Sequence, residues 1–216
     1  TPGMKLTIAF DDISLPLPEP LVSRSPRRPV RERIGYDGGV IEPMCADSLD
    51  RAIADLVGLG AEAIAVCLLH SYANDAHETE VAARIAELAP DLPVSCSAAI
   101  LPEIGELGRF STCVANAYVQ PIVAGYLARL GERLRDLGHR GRLMVINSRG
   151  GSMMPDSAAR YPVRMLESGP AAGASAVSSL AKALGLLRVL SFDMGGTTAK
   201  ICLVRDGEAQ RSFEFE

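Results

Sequence analysis

The feature that most constrains the fold is an alternation of two apolar patterns between residues 46 and 150. Segments with apolar residues at helical spacing, such as Leu49 and Ile53, alternate with short continuous apolar runs, such as residues 61–70. The first pattern is typical of an amphipathic helix, and the second of a strand covered on both faces of a parallel sheet. The sequence therefore predicts an α/β architecture of alternating helix and strand layers.

Further elements follow from the same patterns. We expect a helix capped by Asn74, and a long helical segment that begins near Ser111 and is kinked or divided by Pro121. Strands are predicted at residues 93–100, 142–148 and 163–166. The apolar side of the long helix is expected to consist of Val114, Tyr118, Ile122, Leu130, Leu134 and Leu137.

The last part of the chain has a different pattern. Ser168-Gly169-Pro170 predicts a helix start, and the helix should continue to about Leu184. Three strand-like runs follow at residues 189–193, 199–204 and 210–216, and Asp206-Gly207 is a strong hairpin signal between the last two. This region should form a C-terminal β-meander that carries a glycine-rich loop.

Composition excludes several classes of protein. No run of about 18 apolar residues exists, so we expect no membrane span, and the N-terminus lacks the apolar region of a signal peptide. With 22 basic and 26 acidic residues the net charge is −4, which argues against nucleic acid as the main partner. The five cysteines include no Cys-x-x-Cys pair, and the count is odd, so a reducing cytoplasm fits best.

The ends of the chain indicate a piece of a longer protein. It does not begin with Met, and residues 213–216 resemble a strand cut short. We divide the chain into an extended Pro/Arg-rich connector (1–35), an α/β segment (36–110) and the start of a further domain (111–216).

The most informative segment runs from Val189 to Lys200. Asp193 ends a strand, Gly195 and Gly196 follow, and then come the hydroxyls of Thr197 and Thr198. Exposed backbone amides and hydroxyls bind anions, and a carboxylate beside them can hold hydrated Mg²⁺. The segment is neither a P-loop nor a dinucleotide fingerprint, since a strand follows it. A plain Gly-Gly hairpin, with Asp193 as a turn acceptor, remains an equal alternative on this motif alone.

Several segments together resemble the hydantoinase A/5-oxoprolinase family of the actin-like ATPase superfamily. The segments that carry the likeness are CLLHSYAN (67–74), LPEIGELGRFSTCVANAYVQP (101–121), RLMVINSRGGSM (142–153), ESGPAAG (167–173) and FDMGGTTAK (192–200). The resemblance implies that the C-terminal part belongs to an actin-like (ribonuclease H-like) ATPase lobe. It also implies ATP-dependent opening of a five-membered cyclic amide, a hydantoin or 5-oxoproline, with Mg²⁺ and often a second subunit in a larger oligomer.

The resemblance also assigns site residues. Gly195, Gly196, Thr197 and Thr198 would contact ATP phosphates, Asp193 would act on Mg²⁺ or water, and Ser168 and Gly169 would line the nucleotide cleft. Two departures stand out. Many relatives carry an acidic residue where this chain has Lys200, and we expect Lys200 to face solvent. The first phosphate loop of the superfamily is absent from this sequence. The chain alone should therefore lack full activity.

For the other candidate residues a structural explanation stands next to the functional one. Ser148, Gly150 and Gly151 form a possible second ligand loop after a strand. His70 follows an apolar strand and could bind a metal or a substrate, although it more simply ends the strand. Glu103 and Glu106 more simply begin a helix in solvent, and Tyr118 and Phe110 more simply pack in the core.

Two other functions remain open. An acetone-carboxylase-type subunit would share phosphoryl activation by ATP but would complete a different reaction. A nucleotide-switched binding protein would use the same fold without amide chemistry, since a shared fold does not decide function.

Overall fold

The computed structural model describes residues 20–196 and 199–210. The chain divides into two compact units: Arg24–Gly173, the large unit, and Ala174–Glu216 together with Thr1–Ser23, the small unit. The first 19 residues lie outside the described part, and so does most of the connector predicted at residues 1–35. The predicted boundary between residues 110 and 111 falls inside a long helix, Glu106–Asp136.

The large unit has the predicted mixture of helices and short strands. In chain order its elements are β1 (Arg33–Ile34), β2 (Val40–Glu42), α1 (Ala46–Gly58), β3 (Ile64–Val66), α2 (Ala76–Leu88), β4 (Val94–Cys96), α3 (Ser97–Ile100), α4 (Glu106–Asp136), β5 (Val145–Ile146), β6 (Ser152–Met153), α5 (Pro155–Arg160) and a 3₁₀ helix (Pro162–Met165). A further helix, α6 (Ser168–Leu184), begins in this unit and continues into the small unit.

The centre of the large unit is a parallel strand pair between helices. β3 and β4 pair in register, with Ile64 opposite Val94 and Val66 opposite Cys96. Helices α1 and α2 cover one face and α4 packs on the other, as expected for a buried parallel pair. The apolar core contains Leu49, Ile53, Ile64, Val66, Val81 and Ile85.

The small unit contains the predicted β-meander. β7 (Arg188–Met194), β8 (Ala199–Arg205) and β9 (Glu208–Ala209) are consecutive antiparallel strands. Asp206 and Gly207 join β8 to β9 with φ of 52° and 76°, the left-handed pair that a two-residue hairpin turn requires. The third strand, β9, begins before the predicted one at residues 210–216, and residues 211–216 lie outside the described residues.

Four predicted strands are wrong in whole or in part. The 61–70 strand is only β3, the 142–148 strand is only β5, and the 93–100 strand ends at Cys96, where α3 begins. Residues 163–166 are not a strand, because Val163 lies in the 3₁₀ helix and its amide donates to Asn116 Oδ1 at 3.1 Å. Side chains that are distant in sequence accept hydrogen bonds from backbone amides of these segments, as Asn116 does from Val163 and Glu78 does from Ala98. Local sequence patterns do not reveal such contacts.

The predicted apolar side of α4 is also wrong. Tyr118 is 76% exposed and Ile122 69%, so Tyr118 is not a core residue. The face that packs on the sheet instead carries Arg109, Cys113, Asn116, Ala117, Gln120 and Leu127. The helix begins at Glu106 rather than near Ser111 and runs unbroken through Pro121. Buried residues directly before the proline, Asn116, Ala117 and Gln120, hold this part of the helix against its neighbours.

No helix among the described residues is long and apolar enough to cross a membrane.

The first testable prediction concerns the ion pair that joins α1 to α2. Arg84 donates twice to the Asp50 carboxylate, at 2.7 Å each, and this hydrogen bonding keeps the pKa of Asp50 below its ordinary value. A lowered pKa means that the carboxylate stabilises the fold above the unfolded pKa, and that this contribution disappears as pH falls through the folded pKa.

Asp50→Asn should therefore lower the urea midpoint at about pH 6.5 by more than at about pH 3, because below the unfolded pKa the contribution of the ionised wild-type carboxylate decreases. Glu62→Gln is the control, because Glu62 makes no ion pair among the described residues. An equal loss for Asp50→Asn at both pH values would contradict the assignment.

Candidate functional site

The glycine-rich loop connects two long paired strands of the small unit. In the β7–β8 ladder Asp193 lies opposite Lys200, and Met194 lies opposite Ala199. Gly195 and Gly196 follow directly, while Thr197 and Thr198 lie outside the described residues. The structure therefore places the acid and both glycines at one hairpin tip, as the sequence predicts.

The described part of this tip is open. Asp193, Gly195 and Gly196 are all exposed. A Cβ atom built on Gly196 would meet no atom within 4 Å, and Gly196 has no positive φ. Its missing side chain therefore matters for access to the backbone rather than for the conformation of the turn. A ligand can approach this backbone closely.

Lys200 differs from the expectation that it faces solvent. Its side chain projects from the same face of the hairpin as that of Asp193, because directly opposed residues of an antiparallel pair share a face. Lys200 is half-buried and interacts with another group. It therefore brings a positive charge to the strand end where the carboxylate lies.

The other predicted nucleotide residues begin α6. Ser168 is half-buried and Gly169 is exposed, and a Cβ on Gly169 would meet nothing within 4 Å. The first turn of a helix has amides without intrahelical partners. Ser168 and Gly169 belong to the large unit, whereas Asp193, Gly195 and Gly196 belong to the small unit.

The possible second ligand loop is a tight turn between β5 and β6. The Ser148 amide and hydroxyl both donate to the Arg164 carbonyl, at 2.8 and 2.7 Å. The amides of Arg149 and Gly151 donate to Asn147 Oδ1, and the amide of Gly150 donates to the Asn147 carbonyl. All four amides have protein acceptors, so a ligand here would have to use side chains.

A buried polar network lies in the large unit, where β3 and β4 end. Glu78, only 1% exposed, accepts hydrogen bonds from the amides of Leu68 and Ala98, each at 2.9 Å, and from the Ser97 hydroxyl at 2.6 Å. These three donors come from the segments that follow the two strands. One carboxylate therefore fixes both strand ends.

Arg109 supplies the opposite charge. It is fully buried and donates to Ser97 Oγ at 3.2 Å, to the Glu103 carbonyl at 3.0 Å and to the Leu68 carbonyl at 3.2 Å. Its guanidinium also lies over the rings of Tyr72, at 5.3 Å, and Phe110, at 5.0 Å. Ser97 bridges the two charges, as a buried ion pair requires.

The sequence analysis missed this network, although a signal was present. Glu78 has helical spacing with Val81 and Ile85, which are core residues, so it lies on the buried stripe of α2. Arg109, Cys113, Asn116 and Gln120 likewise share the buried side of α4. Polar residues at core positions are the sign of an internal network. Glu103 and Glu106 are exposed, as expected.

His70 and His77 do not form a metal site. Among the described residues no group of three or more His, Cys, Asp or Glu side chains could hold a metal ion. His77 Nδ1 lies 2.7 Å from Glu32 Oε2, and both side chains are buried. His70 lies at the carboxyl end of β3 beside Tyr72, with its Nδ1 3.4 Å from the phenol oxygen.

Two cysteines near the strand ends have raised pKa values, which disfavours their thiolate forms. Burial raises the pKa of the Cys96 thiol to about 12. The pKa of Cys113, which is fully buried and lies 3.1 Å from the Ser95 carbonyl, is also raised, first by hydrogen bonding with Cys67 and then by burial. Cys67 and Cys202 are half-buried. All five cysteines are free thiols.

Two family models match this chain, one in its N-terminal part and one in its C-terminal part. The Hydantoinase/oxoprolinase model matches residues 109–216, and the Hydantoinase/oxoprolinase N-terminal region model matches residues 3–89. The second match ends close to the buried network, and the first begins at Arg109 and covers the glycine-rich loop.

Three similar proteins illustrate the range of relatives. The caprolactamase subunit alpha of Pseudomonas jessenii is 30% identical over 93% of this chain and 29% of its own length. The crystal structure of the ATP-dependent caprolactamase from the same organism matches 89% of this chain and 28% of that chain, with a TM-score of 0.80 and 31% identity. The 5-oxoprolinase of Saccharomyces cerevisiae is 29% identical over 81% of this chain and 13% of its own length.

A nucleotide-free structure of acetone carboxylase is also similar. It has a TM-score of 0.70 and 27% identity over 83% of this chain and 26% of that chain. The chain spans less than a third of the length of the curated relatives it matches.

The second testable prediction concerns the buried network. Arg109→Met should destabilise the protein by about 3–5 kcal/mol, because it leaves the Glu78 carboxylate buried without its counter-charge. The double variant Glu78→Gln/Arg109→Met should lose less than the sum of the two single losses, since it removes both charges together. The measurement is the free energy of unfolding in urea.

Arg129→Met is the matched control, because Arg129 is exposed on the same helix. Its loss should stay within about 0.5 kcal/mol. Strict additivity of the two single variants would show that Glu78 and Arg109 do not form one network.

Proposed function

Since the chain belongs to the hydantoinase/oxoprolinase family, we propose that it is part of an ATP-dependent enzyme that opens a five-membered cyclic amide, such as a hydantoin or 5-oxoproline. The observation that carries the proposal is the open hairpin tip, where Asp193 stands beside the exposed backbone of Gly195 and Gly196. The relatives named ATP-dependent caprolactamase and 5-oxoprolinase support an amide as the substrate.

The small unit would contribute its loop to an actin-like (ribonuclease H-like) ATPase lobe. In this proposal the backbone of Gly195 and Gly196 approaches the terminal phosphates of ATP, and the hydroxyls of Thr197 and Thr198 donate to the same oxygens. Ser168 and Gly169 at the start of α6 line the nucleotide cleft, where free helix amides favour negative charge.

The residues at the tip also fit a magnesium ion. Asp193 offers an exposed carboxylate, the ligand type that Mg²⁺ prefers, and the open space beside Gly196 leaves room for bound water. Mg²⁺ would neutralise charge on the phosphates during transfer. Asp193 would bind it, directly or through water. Lys200, opposite Asp193, adds positive charge at the same strand end.

The chemistry follows from the poor reactivity of amides. The amide oxygen attacks the γ-phosphorus of ATP, the bond from phosphorus to the β,γ-bridging oxygen breaks, and ADP leaves. The phosphorylated amide carries a good leaving group on its carbon, so water adds there. The ring C–N bond then breaks, which frees the amine and leaves an acyl phosphate, and a second water releases phosphate to give the open-chain acid. Each turnover consumes one ATP and two waters for the opening of one amide bond.

We further propose that the active protein includes a second subunit and forms an oligomer. The caprolactamase relative is named as a subunit, and this chain spans less than a third of its relatives. The five free thiols fit a reducing cytoplasm, where we place the protein. The loop of Ser148, Gly150 and Gly151 remains a proposed second ligand loop, in which the exposed Arg149 side chain would contact the ligand, since the loop amides and the Ser148 hydroxyl already have acceptors.

A second candidate is a carboxylase-type subunit, favoured by the structural match to acetone carboxylase. Such a subunit would also activate its substrate with ATP but would form a new C–C bond. Phosphate release that responds to a ketone with bicarbonate, and not to any cyclic amide, would select it. Release that responds only to a protein partner would select a nucleotide-switched binding protein.

The third testable prediction concerns Asp193 in the intact protein. Asp193→Asn should reduce amide-stimulated phosphate release by at least about 100-fold, because it removes the charge that acts on the metal and the transferring group. Gly196→Val should weaken ATP binding and still fold, since its side chain enters open space. The measurements are steady-state phosphate release and calorimetry with ATP and Mg²⁺.

Asp206→Asn is the matched control, because Asp206 occupies the turn at the other end of β8 and Asn tolerates its left-handed conformation. This variant should stay within about twofold of the wild-type rate. If Asp193→Asn did the same, Asp193 would have no part in catalysis.

A further inference from the structure

His70 has a backbone conformation that needs an explanation. Its φ is 59°, one of three positive values among the described non-glycine residues. The left-handed region costs free energy for any residue with a side chain, and glycine would adopt it freely. Such strained residues cluster at functional sites. His70 also follows β3 at the carboxyl end of a parallel strand pair, the edge where α/β proteins bind ligands.

The loop around His70 is fixed from several sides. The His70 carbonyl accepts hydrogen bonds from the amides of Ala73 at 2.9 Å and Asn74 at 3.3 Å. Ser71 is buried and its hydroxyl lies 3.2 Å from Ser97 Oγ, while Arg109 holds the Leu68 carbonyl. The backbone on both sides of His70 is therefore tied to the buried network, which keeps the imidazole in one place.

The neighbouring tyrosine contacts one ring nitrogen of His70 and leaves the other open. The rings of His70 and Tyr72 meet edge to face, 5.8 Å apart, and the phenol oxygen lies 3.4 Å from Nδ1. When the phenol donates to Nδ1, the imidazole hydrogen lies on Nε2. Among the described residues no group bonds to Nε2. The half-buried ring therefore offers one N–H donor.

The charges beneath this edge are already paired. The Arg109 guanidinium lies over the Tyr72 ring, 5.3 Å from its centroid, and donates its hydrogen bonds to Ser97 Oγ and to the carbonyls of Leu68 and Glu103. Glu78 balances it through Ser97. With the Arg109 guanidinium committed to protein acceptors, His70 and Tyr72 are the hydrogen-bonding side chains at this edge, an arrangement that suits a carbonyl oxygen.

We propose that His70 is a substrate-binding residue whose Nε2–H donates to the carbonyl oxygen of the cyclic amide, and that Tyr72 is the positioning residue that sets its tautomer. This inference rests on the proposed function, because it names the residue that binds the same amide. It assigns a role to His70 that neither the nucleotide loop nor the buried network supplies.

The test uses the intact protein with 5-oxoproline, hydantoin and caprolactam as probes of stimulated phosphate release. His70→Gly removes the ring but accepts the left-handed backbone, and His70→Asn keeps a side chain that tolerates this conformation but is too short to replace Nε2. Both variants should fold and should raise the KM for the stimulating amide about tenfold, the value of one hydrogen bond. Tyr72→Phe should raise it less.

The KM for ATP and the unstimulated ATP turnover should not change in these variants, which separates a substrate contact from a general structural effect. His139→Gly is the matched control, because His139 is exposed on the surface. Unchanged amide KM values in both His70 variants would overturn this inference alone. A wild-type protein that no cyclic amide stimulates would overturn the proposed function and this inference with it.

Discussion

The pairing of Glu78 with Arg109 through Ser97 is the interaction on which the large unit depends. Strands β3 and β4 have three residues each, and such short strands supply few ladder hydrogen bonds of their own. The Glu78 carboxylate accepts hydrogen bonds from the amides of Leu68 and Ala98, which follow the two strands. Arg109 donates to the carbonyls of Leu68 and Glu103 in the same region. The two charges compensate each other, which makes their burial tolerable.

This network has a consequence for function. It fixes the carboxyl edge of the parallel pair, where the loop of residues 68–74 carries His70 in a strained conformation. A fixed edge holds a binding group in one position before the ligand arrives, and this lowers the cost of binding. The glycine-rich loop of the small unit, the proposed nucleotide site, differs in this respect, because its glycines leave the backbone open instead of fixing a side chain.

Where a structure depends on local patterns, the sequence predicts it well. The helix from Ser168 to Leu184, the β7–β8 hairpin and the Asp206-Gly207 turn all follow from neighbouring residues, and the structure confirms them. The open tip at Asp193, Gly195 and Gly196 is predicted for the same reason.

Prediction fails where distant side chains complete the backbone. The strand expected at residues 93–100 ends at Cys96, because Glu78 binds the Ala98 amide and a short helix begins. The buried side of α4 contains polar residues, because Asn116 and Gln120 form hydrogen bonds with Ser95. The spacing of apolar residues therefore predicted the wrong face of the helix as buried. Arg109 is a charged residue at a core position, and only the folded chain reveals its partners.

The most direct test of the account is a crystal structure of the intact protein with Mg²⁺ and a non-hydrolysable ATP analogue. We expect the amides of Gly195 or Gly196 to lie about 2.9 Å from oxygens of the terminal phosphates, with Asp193 beside the metal. A nucleotide bound elsewhere, with these amides bonded to protein, would contradict it.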